Sequence, residues 1–180
     1  MPHLLHRLRY RIRQLLVSLR RTLNAADQAE VQHWLPPLAV ALFLRMTPRD
    51  QQHSLDVLRR VQHTTPGQPA LYAAALLHDV AKTAQPGRRI RLWHRVLVVI
   101  LSAFWPVSVS KLASADPQSW RYPFFLHLHH PLLGAQMAAA AGCDPLTVEL
   151  IRRHQDKVTR APASTVEHLL AALQAADDAS

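Results

Sequence analysis

Imidazole and carboxylate groups recur along this chain in positions that suit metal chemistry: His53, the pair His78-Asp79 followed by Lys82, then His130, His154 and Asp177. Taken singly, each has an ordinary explanation. A histidine among apolar residues is usually hydrogen-bonded in a core or at its rim, and an aspartate near a helix end is usually solvated or capping. As a set they define a chemistry. Such donors suit Mn, Fe, Zn or Ni, and gathering about four to six of them is costly unless a cation offsets their charge and desolvation. Neighbouring helix positions differ by about 100° in direction, so His78 and Asp79 can both reach one ion while the second carboxylate oxygen of Asp79 bridges to another. Lys82 lies four residues after His78 and three after Asp79, on the same face, where it can project toward a phosphate beside the metals. Away from that pair it would read as an exposed lysine near a helix C-terminus, favoured by the dipole.

The elements that must position these residues are helical. Gly is scarce, while Ala, Leu and Arg abound, which favours helix over sheet. Pro36-Pro37 interrupts the chain; Thr47 then reads as an N-cap, with Pro48 at the first helical position and Asp50 in the first turn. The helix that follows carries His53, Leu55, Val57, Leu58 and Val61 and stops at Thr64 to Gln68, which contains Pro66-Gly67. An Ala- and Leu-rich helix is expected from about Pro69 to Lys82. Further helices are expected from Pro131 through Ala141, ended by Gly142; from Asp144-Pro145 to about His154; and from about Ser164 to Asp177. Between Lys82 and Tyr122 lies a long insert. Its apolar run from Val96 to Val107 contains Ser102 and Pro106 and is shorter than the roughly 20 residues of a membrane span. Trp93, Phe104 and Trp105 within it read as core, lid or membrane-touching patch.

Residues 4–23 form the clearest periodic segment. Leu4, Leu5, Leu8, Ile12, Leu15, Leu16, Leu19 and Leu23 fall in one arc at helical pitch, with Arg7, Arg13, Arg20 and Arg21 outside it. This stripe either packs on the domain with its arginines in water or lies on an anionic membrane surface. An Arg-rich organelle-targeting peptide is a further reading. The division expected is a basic amphipathic extension over residues 1–30 and one helical domain over 31–180.

The formal charge of +9 points to an anionic ligand or surface. Cys143 is the only cysteine, which excludes an internal disulfide and a Cys-based zinc site and fits a reducing, cytoplasmic setting. The basic N-terminus lacks the continuous apolar core of a secretory signal. Nucleic acid is not the expected partner: no reading motif is present, and only Tyr10 interleaves with the arginines.

From Asp50 to Asp178 the chain resembles the HD superfamily of metal-dependent phosphohydrolases. The likeness is carried by Asp50-Gln51-Gln52-His53-Ser54-Leu55, His78-Asp79-Val80-Ala81-Lys82, His130-Pro131-Leu132-Leu133-Gly134-Ala135, Ile151-Arg152-Arg153-His154 and Ala176-Asp177, in that order. The resemblance implies an all-α HD-domain helical bundle. His130 and His154 are similar to the extra ligands of the subset that binds two metals. Carried over by position, His53, His78, Asp79 and Asp177 hold one ion, Asp79 bridges, and His130 with His154 holds the second. His127, His129 and Asp178 compete with these positions; the Pro131 and Gly134 context favours His130, and the preceding Ala-Ala favours Asp177. Two divalent ions are implied, with Fe or Mn preferred and Ni, Co or Zn also suited. The implied activity is hydrolysis of a phosphate ester or anhydride in a nucleotide or other small phosphorylated substrate. Asp79 and Lys82 are its catalytic residues, a metal-bridging water is its nucleophile, and Lys82 and Arg153 steady the phosphate. The chain lacks the Gly-Tyr-Pro element of the cyclic-dinucleotide branch. The alternative is a metal-stabilised HD sensor or interaction module without turnover.

Overall fold

A computed structural model describes residues 23–83, 113–156 and 161–180; the amphipathic stripe over 4–22 and the apolar run over 96–107 lie outside the described residues. Among the described residues every regular element is helical. They are α1 (Ala25–Trp34), α2 (Pro37–Leu44), α3 (Pro48–Thr64), α4 (Pro69–Leu77), a 3-10 turn (Val80–Thr83), α5 (Tyr122–Ala140), α6 (Pro145–Arg153) and α7 (Thr165–Asp178). No described helix is long and apolar enough to cross a membrane.

Local chemistry sets most of these ends. Asn24 and Asp27 form a reciprocal capping box at the start of α1. Thr47 caps α3, accepting from the Asp50 amide at 3.2 Å while its hydroxyl donates to the Asp50 carboxylate at 2.7 Å. Asp144 and Ser164 cap α6 and α7. Gly142 ends α5 at φ 81°, and the Cys143 amide reaches back to the Ala138 carbonyl at 3.0 Å. This closure needs a left-handed residue, which glycine adopts without a Cβ clash.

Two boundaries differ from the sequence expectation. The helix expected to reach Lys82 stops at Leu77; His78 and Asp79 form a turn, and a 3-10 turn carries Val80 to Thr83. The helix expected to begin at Pro131 begins at Tyr122 and runs through the proline. A proline inside a helix removes one amide donor, at a cost of about 3 kcal/mol. Here Phe124 and Leu126 bury the first half of α5, and the carbonyl that Pro131 would leave free, that of His127, accepts from the His130 ring instead.

The core lies where α3, α4, α6 and α7 meet. Leu55, Leu58 and Val61 of α3 pack with Leu71, Leu76 and Leu77 of α4, Leu150 and Ile151 of α6, and Leu170 and Leu173 of α7. Each such side chain contributes about 1.5–3 kcal/mol by leaving water. α5 packs on α6 and on the 3-10 turn. Gly134 permits that approach: a Cβ there would meet Ile151 Cγ2 at 3.3 Å and Val80 Cγ1 at 3.5 Å. Buried Gln51 ties α2 to α3, its amide donating to the carbonyls of Phe43, Leu44 and Met46. These contacts bring one turn of each site-bearing helix to a common point.

Candidate metal centre

Three of the four histidines in the expected ligand set, His78, His130 and His154, stand where their helix gives up a carbonyl. His78 is the C-cap of α4 and His154 the C-cap of α6, where the last carbonyls have no partner within the helix. His130 precedes the proline of α5. In all three the ring Nδ1 lies against the carbonyl three residues back: Ala75 at 2.9 Å, His127 at 2.8 Å and Ile151 at 2.8 Å. A carbonyl only accepts, so Nδ1 carries the proton. In the neutral ring Nε2 then presents a lone pair, the arrangement that fixes tautomer and direction in a metal-binding imidazole.

Those Nε2 atoms converge on Asp79. Its Oδ1 lies 3.4 Å from His130 Nε2 and 3.8 Å from His154 Nε2; its Oδ2 lies 3.7 Å from His78 Nε2 and 2.6 Å from Lys82 Nζ. On the other side of His78, Asp177 Oδ1 lies 3.5 Å from its Nε2 and accepts from His53 Nε2 at 2.9 Å. Two groups of possible ligands result, His53 with His78 and Asp177, and Asp79 with His130 and His154. Two donors about 2.1 Å from one ion are about 3.0–3.4 Å apart at octahedral or tetrahedral angles, close to the separations here.

The buried donors fit a cation because they do not satisfy one another. His78 Nε2, Asp79 Oδ1, His130 Nε2 and His154 Nε2 are all buried without a hydrogen-bond partner. Where the ring is neutral, a lone pair facing a carboxylate oxygen in a sealed space is unfavourable, each unsatisfied group costing about 1–3 kcal/mol. A divalent ion between them removes the conflict. The donor set, nitrogen and oxygen without sulfur, suits a first-row transition metal.

Electrostatics prepare the same set. Burial pushes the Asp79 carboxyl up, but His78 and Lys82 hold it well below the usual carboxylate range. Burial likewise pushes Asp177 up, and the hydrogen bonds and charge of His53 and His78 prevail in lowering it. Burial, followed by the His78 charge, pushes His154 down to about 4, so its ring is neutral and ready as a ligand at pH 7. For His78, burial lowers the pKa but the charges of Asp79 and Asp177 raise it above its ordinary value.

All six expected metal positions thus come together. His129 is exposed, its ring lying against Phe125 with centroids 4.4 Å apart, and Asp178 is exposed at the end of α7. Lys82 is in the site. Arg153 is engaged elsewhere, with Asp156 at 3.0 Å and Glu149 at 3.8 Å. Two further residues stand beside the centre: Gln174, which the sequence reading left without a role, and His127, which it weighed as a rival of His130. Gln174 of α7 donates to the carbonyls of His154 at 3.0 Å and Asp156 at 2.8 Å, anchoring the end of α6. Its place one turn before Asp177 was the available signal. His127 faces the site from the turn preceding His130.

Among the described residues the site opens at the edge formed by His53, Asp177 and Lys82. The side chains of His53, Asp177 and Lys82 keep 28%, 36% and 25% of their exposure, whereas those of His78 and His130 keep none. No family model matches the chain, and no curated protein or solved structure matches it either.

Proposed function

We propose that the chain is a metal-dependent phosphohydrolase of the HD type, acting on a phosphate ester or anhydride of a nucleotide or other small phosphorylated substrate. The observation that carries this reading is the buried Asp79 carboxylate between two ligand groups. One oxygen faces two unpartnered imidazole nitrogens, and the other faces a third and the Lys82 ammonium. His53, His78 and Asp177 would hold one divalent transition-metal ion, His130 and His154 another, with Asp79 shared. When bound, such ions lower the pKa of a water and offset the charge that develops on phosphate oxygens.

The chain's own residues do the rest. The exposed edge at His53, Asp177 and Lys82 admits the substrate, while the sealed edge excludes bulk water from the far side. Lys82, paired with Asp79 in the free chain, turns its ammonium to a phosphate oxygen, and a substrate that arrives with its own negative charge compensates the exchange. Arg153 can join it only by leaving Glu149 and Asp156. The charge of +9 favours an anionic substrate.

The second reading, a metal-stabilised module without turnover, is favoured by the same Lys82–Asp79 pair, which leaves the ammonium occupied. One experiment separates the two: elemental analysis of protein purified without a metal-affinity tag, then a panel of phosphate esters with Mn or Fe added. About two ions per chain with phosphate release supports the hydrolase; two ions without turnover supports the module. A His78→Ala/Asp79→Ala double variant that keeps its metal overturns both. Association of residues 4–23 with an anionic membrane is a separate proposal, tested by vesicle sedimentation of the full chain against one lacking residues 1–24. Equal sedimentation removes it.

A further inference from the structure

His127 belongs to none of the ligand groups, and its position has no structural need for a polar side chain. It lies seven residues before Gly134, so the two share one face of α5, and that is the face Gly134 sets against Ile151 and Val80. Ala138 continues the stripe and is fully buried. At the open end of this core-facing stripe, where an apolar residue would ordinarily stand, the chain places an imidazole. The ring is half-buried, 6.2 Å from the His130 ring between centroids, and neither nitrogen has a hydrogen-bond partner among the described residues. It senses the charges of His130, Lys82 and Asp79. The backbone carbonyl of the same residue is the acceptor that orients His130.

We propose that His127 is a substrate-contacting residue of this centre, donating a ring N–H to a non-bridging oxygen of the phosphate that Lys82 also engages. This rests on the phosphohydrolase reading and deepens it. The arrangement joins a cationic contact, Lys82, to a directional one carried on a helix. Imidazole carries at least one N–H in either protonation state, so the contact needs no proton to be gained or lost. It also accounts for the second phosphate contact that Arg153, held by Glu149 and Asp156, does not supply in the free chain.

The test uses the full chain loaded with Mn and inorganic phosphate as the probe. Metal content is read by elemental analysis and phosphate affinity by calorimetry, for the parent, His127→Ala and His127→Gln. The expected result is unchanged metal content in both variants, phosphate binding weakened about tenfold or more in His127→Ala, and partial recovery in His127→Gln, whose amide keeps an N–H donor. Unchanged phosphate affinity in His127→Ala overturns the inference. So does loss of metal in both variants, which would make His127 a ligand or a support for His130. A metal-loaded parent that does not bind phosphate overturns the phosphohydrolase reading together with this one, whereas a failure confined to the variants leaves that reading intact.

Discussion

The two halves of the centre are built from the same residue types and differ in how they stand without an ion. At the rim, His53 donates to Asp177 at 2.9 Å and both keep contact with solvent, so most of that group is already satisfied. In the interior, Asp79 Oδ1 faces the Nε2 atoms of His130 and His154, and all three atoms are buried without a hydrogen-bond partner among the described residues. The rim can wait for a ligand; the interior is in conflict until one arrives. The expected consequence is two unequal sites, an inner one whose ion is part of the folded structure and an outer one whose ion exchanges with solvent.

Asp79→Ala should have the largest effect, because it alone serves both halves. The expected metal content falls from about two ions to none, and a single retained ion would show that the halves do not share Asp79. His154→Ala against His53→Ala probes the inequality itself. In a chelator competition the inner variant should lose about a hundredfold or more in affinity for the tighter ion, the outer variant about tenfold for the weaker one. Equal losses would dissolve the distinction.

Acid offers a third probe. The folded-state pKa of His154 is depressed to about 4 by burial and then by the His78 charge. As pH falls from about 6.5 to about 4, the unfolded chain takes a proton there that the folded chain refuses. Metal-free protein should therefore lose up to about 3 kcal/mol over that window, read by urea unfolding. His154→Gln should flatten the dependence, and a variant that keeps the full slope would place its cause elsewhere. Gly134→Ala comes next, with a loss of at most about 2 kcal/mol: the new Cβ needs Ile151 Cγ2, 3.3 Å away, to give by a few tenths of an ångström, against about 1 kcal/mol gained in helix propensity. Gln174→Ala should be mildest. Losing its hold on the His154 carbonyl should lower stability by about 1 kcal/mol and weaken the inner ion while sparing the outer one. A larger effect on the outer ion would contradict the assignment of Gln174 to the inner half.

Much of this was legible in the chain. Caps and breakers placed the ends of α3, α6 and α7, because Thr47, Asp144 and Ser164 act within one turn of themselves. Residue type alone could not pick the six candidate ligands out of 12 histidines and 12 carboxylates; the resemblance of their surrounding motifs to a known family did. The helical run through Pro131 was not legible, since a proline reads as a start until something satisfies the carbonyl it frees. That partner is the His130 ring, whose direction depends on the packing of α5 against α6 and the 3-10 turn. His127, like Gln174, could not be assigned a task from spacing alone. Its shared face with Gly134 gains meaning only once Gly134 is seen against Ile151 and Val80.

The sequence by itself determined that the chain is helical, where most helices end, and which imidazoles and carboxylates were available. These are short-range matters, governed by backbone preference and by hydrogen bonds between residues three or four apart. Only the tertiary structure decided that Asp79 lies between two groups, that the inner group is sealed and the outer one open, and that Arg153 is engaged away from the centre. Those facts depend on how helices distant in sequence pack. Burial then turns facing donors from an ordinary surface cluster into a site that calls for a cation, because only there is water unable to satisfy them.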